Sequence, residues 1–277
     1  MKKIYVMTDL EGVAGVQNFE DWCFADGKYY ELAKEFLTME VNAAVGGLLE
    51  GGAREILVSD GHGAGAINPK LLSPKVGLLR GWPNGWPLEL DRSFDGLIFV
   101  GQHPKAGTPR GHLCHTQSLH YIDLSVNGVS IGEFGQLAMC ASELSVRTIF
   151  GAGDEEFTKE AKALVPGIET VAVKKGLQKG TGEDLDEKAY TRFYSGAIHV
   201  HPERSRKAIH NGAKRAVMRA KKDKKFGIIS LKAPFDRVIM LRPNRDSAVK
   251  RVSRVSHPTS VIAMMNLPND PRPMKEG

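Results

Sequence analysis

The chain has 277 residues, 42% of them hydrophobic and 25% charged, and carries a formal net charge of +6. That length and apolar share allow a sizeable core, and no stretch reaches the roughly 18 consecutive apolar residues of a membrane span. The three cysteines, Cys23, Cys114 and Cys140, are widely spaced with no CxxC pair, which argues against a disulfide framework or a cysteine zinc site.

The amino-terminal "MKKIYVMTDLEG" starts basic, but its apolar run is cut short by Asp9, too soon for a secretory signal. The reading is a cytoplasmic chain. "KIYVMTD" predicts a first strand. "YYELAKEFLTMEVNAAVGGLLEGG" carries helical periodicity, with Leu32, Phe36, Val41 and Leu48 among its apolar positions and a double glycine to stop it. "EILVSD" and "GLIFVGQH" read as further strands, separated by the Gly-, Pro- and Trp-rich "RGWPNGWPLELD", an ordered loop or flap. Short, continuous apolar runs between helices predict a parallel sheet covered on both faces.

"LHYIDLSVNGVSIGE" alternates apolar and polar residues around Asn127-Gly128 and predicts a β-hairpin. A helix over "EFGQLAMCASEL", a strand in "VRTIFGAGD", a helix over "EEFTKEAKAL" and a strand in "ETVAVKK" follow. After the Gly-rich "GLQKGTGEDLDE", a basic helix is expected from about residue 200 to Lys225, burying Ile209, Ala213, Val217 and Ala220 on one face. That pattern reads as a solvated basic face, without the aromatics of a nucleic-acid site. "FGIISLK" and "RVIMLR" are expected to finish the sheet, and "LPNDPRPMKEG" to be a frayed tail. The expected fold is α/β: a mostly parallel central sheet flanked by helices on both faces, with an inserted β-hairpin and a smaller C-terminal lobe. Residues 1–277 read as one catalytic unit, divisible into lobes at 1–180 and 181–277.

Polar residues collect just past the carboxyl ends of the predicted strands. Asp9 and Glu11 follow the first, Asp60 and His62 the second, and His103 the third; Glu133 sits where the hairpin hands over to a helix. In open parallel sheets ligands bind at that edge, and i, i+2 spacing aims each pair at one object. Carboxylate oxygen with imidazole nitrogen is the ligand mix of zinc or a similar divalent metal. Five ligands exceed the three that one catalytic zinc takes from protein, so a carboxylate shared by two metals roughly 3.5–4 Å apart fits better. Two cations would offset the mutual repulsion of Asp9 and Glu11. Asp60 has the alternative roles of capping a helix or orienting a ligand histidine.

The ordered set "TDLEG", "VSDGHG", "GQHPKAGTPRGHLCHT" and "VNGVSIGEFG" resembles the DppA-type D-aminopeptidase family of metallopeptidases over roughly residues 1–175. The resemblance implies a dinuclear zinc site with Asp9, Glu11, His62, His103 and Glu133 as ligands and His115 as the catalytic residue, with His112 the competing assignment. It further implies hydrolysis of short peptides or amides with an N-terminal D-amino acid, and a ring-like homo-oligomer such as a decamer. Cys114 stands where the family has serine, which brings a thiol nucleophile into consideration. Trp82 and Trp86 are candidates for a pocket wall, with a packed Trp-Pro loop as the alternative reading. A dinuclear phosphoesterase is the alternative chemistry, and a nucleic-acid binder using the basic helix ranks last.

Overall fold

A computed structural model describes residues 1–223 and 225–274; Lys224 of the basic stretch and 275–277 of the tail lie outside the described residues. In chain order the elements are β1 (Lys3–Thr8), a π-helical turn (Phe19–Cys23), α1 (Tyr30–Glu50), β2 (Glu55–Asp60), β3 (Gly77–Leu79), β4 (Gly96–Gln102), β5 (Tyr121–Val126) and β6 (Val129–Ser130). Then come α2 (Glu133–Glu143), β7 (Arg147–Asp154), α3 (Glu155–Leu164), β8 (Glu169–Gly176), α4 (Glu187–Phe193), β9 (Ala197–His199) and α5 (Pro202–Lys222). β10 (Phe235–Leu241), β11 (Arg251–His257), α6 (Val261–Met265) and β12 (Arg272–Pro273) complete the fold.

The main sheet has seven strands in the order β3-β2-β1-β4-β7-β8-β9. All its pairings are parallel except that of β8 with β9. Strand alternation explains how both faces are buried. Ile4 and Val6 of β1, with Ile98 and Val100 of β4, join a core with α1 and α5. Tyr5, Met7, Leu97 and Phe99 point the other way, into a core with α2 and α3.

The hairpin β5–β6 turns at Asn127 and Gly128, both at positive φ, as two-residue hairpins require. It does not stand alone. β10 pairs antiparallel with β5, giving a second sheet ordered β12-β11-β10-β5-β6. Leu124, Val126, Phe235 and Ile239 turn its inner face into the core that holds α2.

"FGIISLK" is not a strand, contrary to expectation. Its polar backbone is taken up by loop contacts: Gly227 N–H donates to Pro166 O, Thr148 N–H to Gly227 O, and Ile229 N–H to Ser142 Oγ. Phe226 and Ile229 are buried as single anchors. The basic helix ends at Lys222, and its predicted face of Ile209, Ala213, Val217 and Ala220 is buried against the α1 side of the core. Among the described residues no helix is long and apolar enough to cross a membrane.

α1 and α5 approach closely because small residues line their contact. A Cβ on Gly47 would collide with the backbone carbonyl oxygen of His210. Gly47→Ala must therefore separate two backbones, and we expect it to lower stability by about 1–3 kcal/mol, read from the urea midpoint at unchanged slope; an unchanged midpoint would show that the helices adjust freely.

Candidate metal centre

Three strand ends converge on one spot. Asp9 N–H donates to Val100 O and Gly12 N–H to Gly101 O, so the loop after β1 continues along the end of β4. This contact needs Gly101, which has φ +79° and where a Cβ would collide with the Asp9 carbonyl oxygen. Asp9 Oδ1 accepts from Leu10 N–H at 2.8 Å, and Oδ2 accepts from the Gln102 amide at 3.2 Å. After β2, the Arg80 guanidinium donates to Asp60 O and His62 O at 2.8 and 2.9 Å, pinning the turn that carries His62. Glu133 opens α2, and its Oε1 accepts from Gln117 N–H at 2.7 Å.

The side chains form two triplets. Asp9, Glu11 and His62 make one; His103, His115 and Glu133 make the other; within each, the candidate ligand atoms lie within 4.8 Å of one another. Asp9 faces both: its Oδ1 is 3.4 Å from His62 Nδ1 and its Oδ2 is 3.0 Å from His103 Nε2. Glu11 Oε2 lies 3.1 Å from His62 Nδ1, and Glu133 Oε1 lies 3.6 Å from His103 Nε2 and 3.8 Å from His115 Nε2. The His103 and His115 rings stack at 3.9 Å.

Each imidazole commits its far nitrogen to a carbonyl oxygen. His62 Nε2 pairs with Cys23 O at 2.8 Å, His103 Nδ1 with Pro104 O at 2.9 Å and His115 Nδ1 with Leu113 O at 3.0 Å. A carbonyl only accepts, so those nitrogens carry the protons and the near nitrogens present lone pairs to the site. His103 Nε2 is buried with no hydrogen bond of acceptable geometry. Three lone pairs and three carboxylates aimed inward fit divalent cations.

The electrostatics express the demand of the three carboxylates for positive charge. Burial would raise the Asp9 pKa, but His103 and His62 outweigh it and hold the carboxyl well below its usual value. Burial likewise opposes charge on His62 and His103, yet Glu11 and Asp9 for the first, and Asp9 and Glu133 for the second, drive both pKa values well up. His115 is the exception: burial, then the neighbouring His103, lowers its pKa and keeps the ring neutral.

Other candidates fall elsewhere. Asp60 accepts from Ala66 and Ile67 N–H and caps its loop without joining a triplet. His112 is buried with Nε2 on Gln17 O, and burial beside Lys174 pushes its pKa down to about 2. The Cys114 thiol is fully buried, which drives its pKa well up and removes the thiolate a nucleophile needs. His120 pairs with Glu187 at 2.7 Å, and His201 caps α5. Both Trp82 and Trp86 line the cavity over the triplets, whose volume is about 720 Å³.

A family model described as D-aminopeptidase matches residues 1–260. A D-aminopeptidase of Bacillus subtilis (strain 168) is 31% identical over 182 residues, which cover 64% of this chain and 65% of the relative, just under two thirds of its length. Among solved structures, the Zn-dependent D-aminopeptidase DppA from Bacillus subtilis, described as a self-compartmentalizing protease, superposes with a TM-score of 0.77 at 21% identity. That superposition covers 95% of this chain and 94% of the other.

Behind the triplets, four buried or half-buried ionisable side chains from separate parts of the chain grip consecutive residues of the loop leaving Glu11. Glu40 accepts from Ala14 N–H at 3.2 Å, His199 Nδ1 accepts from Gly15 N–H at 3.1 Å, Lys174 donates to Val16 O at 3.2 Å, and His112 donates to Gln17 O at 3.0 Å. Sequence reading missed Glu40, Lys174 and His199 in this role. A signal existed: Glu40 occupies an apolar helix position beside Leu37, Val41 and Ala44, and Lys174 follows Val173 inside an apolar strand.

Burial pushes the Glu40 carboxyl up to about 8 from its ordinary 4.5, despite the Ala14 N–H and Lys174. Between those values the unfolded chain gives up a proton that the folded protein keeps, so stability falls as pH rises. Glu40→Gln removes that penalty. We expect its stability relative to the parent to grow from pH 5 to pH 8 by about 2–5 kcal/mol, measured by denaturant unfolding; a pH-independent difference would contradict the assignment.

Proposed function

The chain belongs to the D-aminopeptidase family, and from that premise we propose that it is a zinc-dependent aminopeptidase acting on short peptides or amides with an N-terminal D-amino acid. The observation that carries the reading is the position of Asp9, one oxygen toward each triplet. Asp9, Glu11 and His62 would hold one zinc ion, and His103 and Glu133, with Asp9 as the shared ligand, a second. The pair would supply Lewis acidity to polarise the scissile carbonyl and activate a water for attack.

The chain's own groups do the remaining work. His115 is neutral, with its Nδ1 proton held by Leu113 O, so Nε2 is free to take a proton from the attacking water and pass it to the leaving amine. Phe19 packs edge-on against the His115 ring at 5.4 Å and fixes its tilt. Gln102 orients Asp9, and Gln117 N–H orients Glu133. The near-complete burial of Asp9, Glu11 and His103 strengthens every charge interaction at the centre.

Self-compartmentalization is stated of the Bacillus subtilis structure; for this chain we extend it to a ring-like homo-oligomer. Leu177 and Ile198, 53% and 63% exposed beside the antiparallel edge of the main sheet, suit such an association.

The decisive experiment measures zinc content and turnover of matched D- and L-aminoacyl amides. We expect bound zinc, loss of activity on chelation and its return on adding zinc; full activity in a metal-free sample would end the reading. His115→Ala is expected to lower kcat by on the order of 10²–10⁴ while zinc stays bound, whereas Asp9→Ala should lose zinc. Should His115→Ala empty the site, His115 is a ligand and not the proton carrier.

A further inference from the structure

We propose that the cavity selects substrates whose N-terminal residue carries a bulky apolar side chain, aromatic above all, and discriminates against acidic ones. This rests on the aminopeptidase reading and adds the substrate class.

The cavity of about 720 Å³ is far larger than the reacting amide and an alanine methyl can fill. Its surface beyond the polar cluster is largely apolar, with aromatic rings contributed by two parts of the chain. On the first, Phe24 stacks on Phe19 with centroids 6.2 Å apart, and Phe19 meets His115. Phe24 is 40% exposed, so this wall runs from the reacting centre to the rim.

The second wall comes from the loop between β3 and β4. The Trp82 indole N–H donates to Ser59 Oγ at 3.1 Å, at the end of β2. Trp86 is held by its backbone: Asn266 Oδ1 accepts from Trp86 N–H at 3.0 Å, and Asn266 Nδ2 donates to Trp86 O at 2.8 Å. With the Trp82 ring and the Trp86 backbone anchored in this way, this wall loses little freedom when an apolar side chain packs against it, so apolar burial converts into affinity with small ordering cost.

Charge adds the second half of the selection. Among the described residues lining the cavity there is no lysine or arginine, and the carboxylate of Glu187, beyond the triplets, is paired with His120. Away from the reacting centre, an acidic substrate side chain therefore finds no Lys or Arg to pair with.

The test is kcat/KM on the zinc-loaded enzyme for alanine, leucine, phenylalanine and glutamate amides with one leaving group, in both D and L series. We expect phenylalanine to exceed alanine by about 10-fold or more in the productive series, with glutamate slowest. Trp86→Ala and Phe24→Ser should each narrow the phenylalanine-to-alanine ratio severalfold; Phe24 is half-exposed, so its replacement leaves the fold intact by thermal melting. Alanine equal to or better than phenylalanine overturns the proposal and leaves the hydrolase standing. So does a ratio that neither folded variant moves. No hydrolysis of any amide instead defeats the aminopeptidase reading, and the selection falls with it.

Discussion

Burying Asp9 and Glu11 two residues apart at the end of a strand is costly unless positive charge arrives to meet them. The sheet supplies half of the answer. Its parallel order places β1 between β2 and β4, so the histidines after those two strands close on Asp9 from either side. The three imidazoles supply the rest, because each has spent its far nitrogen on a carbonyl and has only a lone pair to offer. Carboxylates and lone pairs facing inward make a cluster that is satisfied by cations and by little else. Without them, the protein can only hold protons there, as the raised pKa values of His62 and His103 express.

Holding such a cluster in place is a backbone problem. Gly101 lets the loop after β1 lie directly on the end of β4, and Arg80 locks the turn after β2 through its carbonyls. The grip on residues 14–17 by Glu40, His199, Lys174 and His112 then fixes the chain leading to Phe19 and Cys23. Those two touch His115 and His62 in turn. Orientation at the centre is therefore inherited from buried polar side chains one layer behind it, which explains why a protein would retain a group as expensive as Lys174, whose pKa burial lowers to about 8.

Much of this was legible in the sequence where local pattern and global fold agree. β1, β2, β4, α2, α3 and the Asn127-Gly128 hairpin declare themselves by periodicity or turn chemistry, and the site followed because the strand ends share one edge. The misses have physical causes. "FGIISLK" looks like a strand, yet neighbouring loops capture its backbone groups, a tertiary decision invisible locally. β11, "RVSRVSH", is polar because only Ser253 is buried in it. His115 is indistinguishable from His112 by spacing; tertiary packing sends one ring to the centre and the other to Gln17 O. Glu40 and Lys174 read as ordinary charges because their partners are backbone atoms of a distant loop.

The pairing of α1 with α5, and of β5 with β10, has a consequence for how the polypeptide is made. In each case a segment from the first half of the chain finds its cover only in the last third. As the chain leaves the ribosome, the apolar stripe of α1 waits for roughly 150 further residues before α5 emerges to shield it, which at cellular elongation speeds of about 5–20 residues per second is many seconds. The nascent protein thus passes through a long, sticky adolescence in which its amino-terminal half is synthesised but unfinished, a period that favours chaperone escort and leaves prematurely terminated products prone to clump.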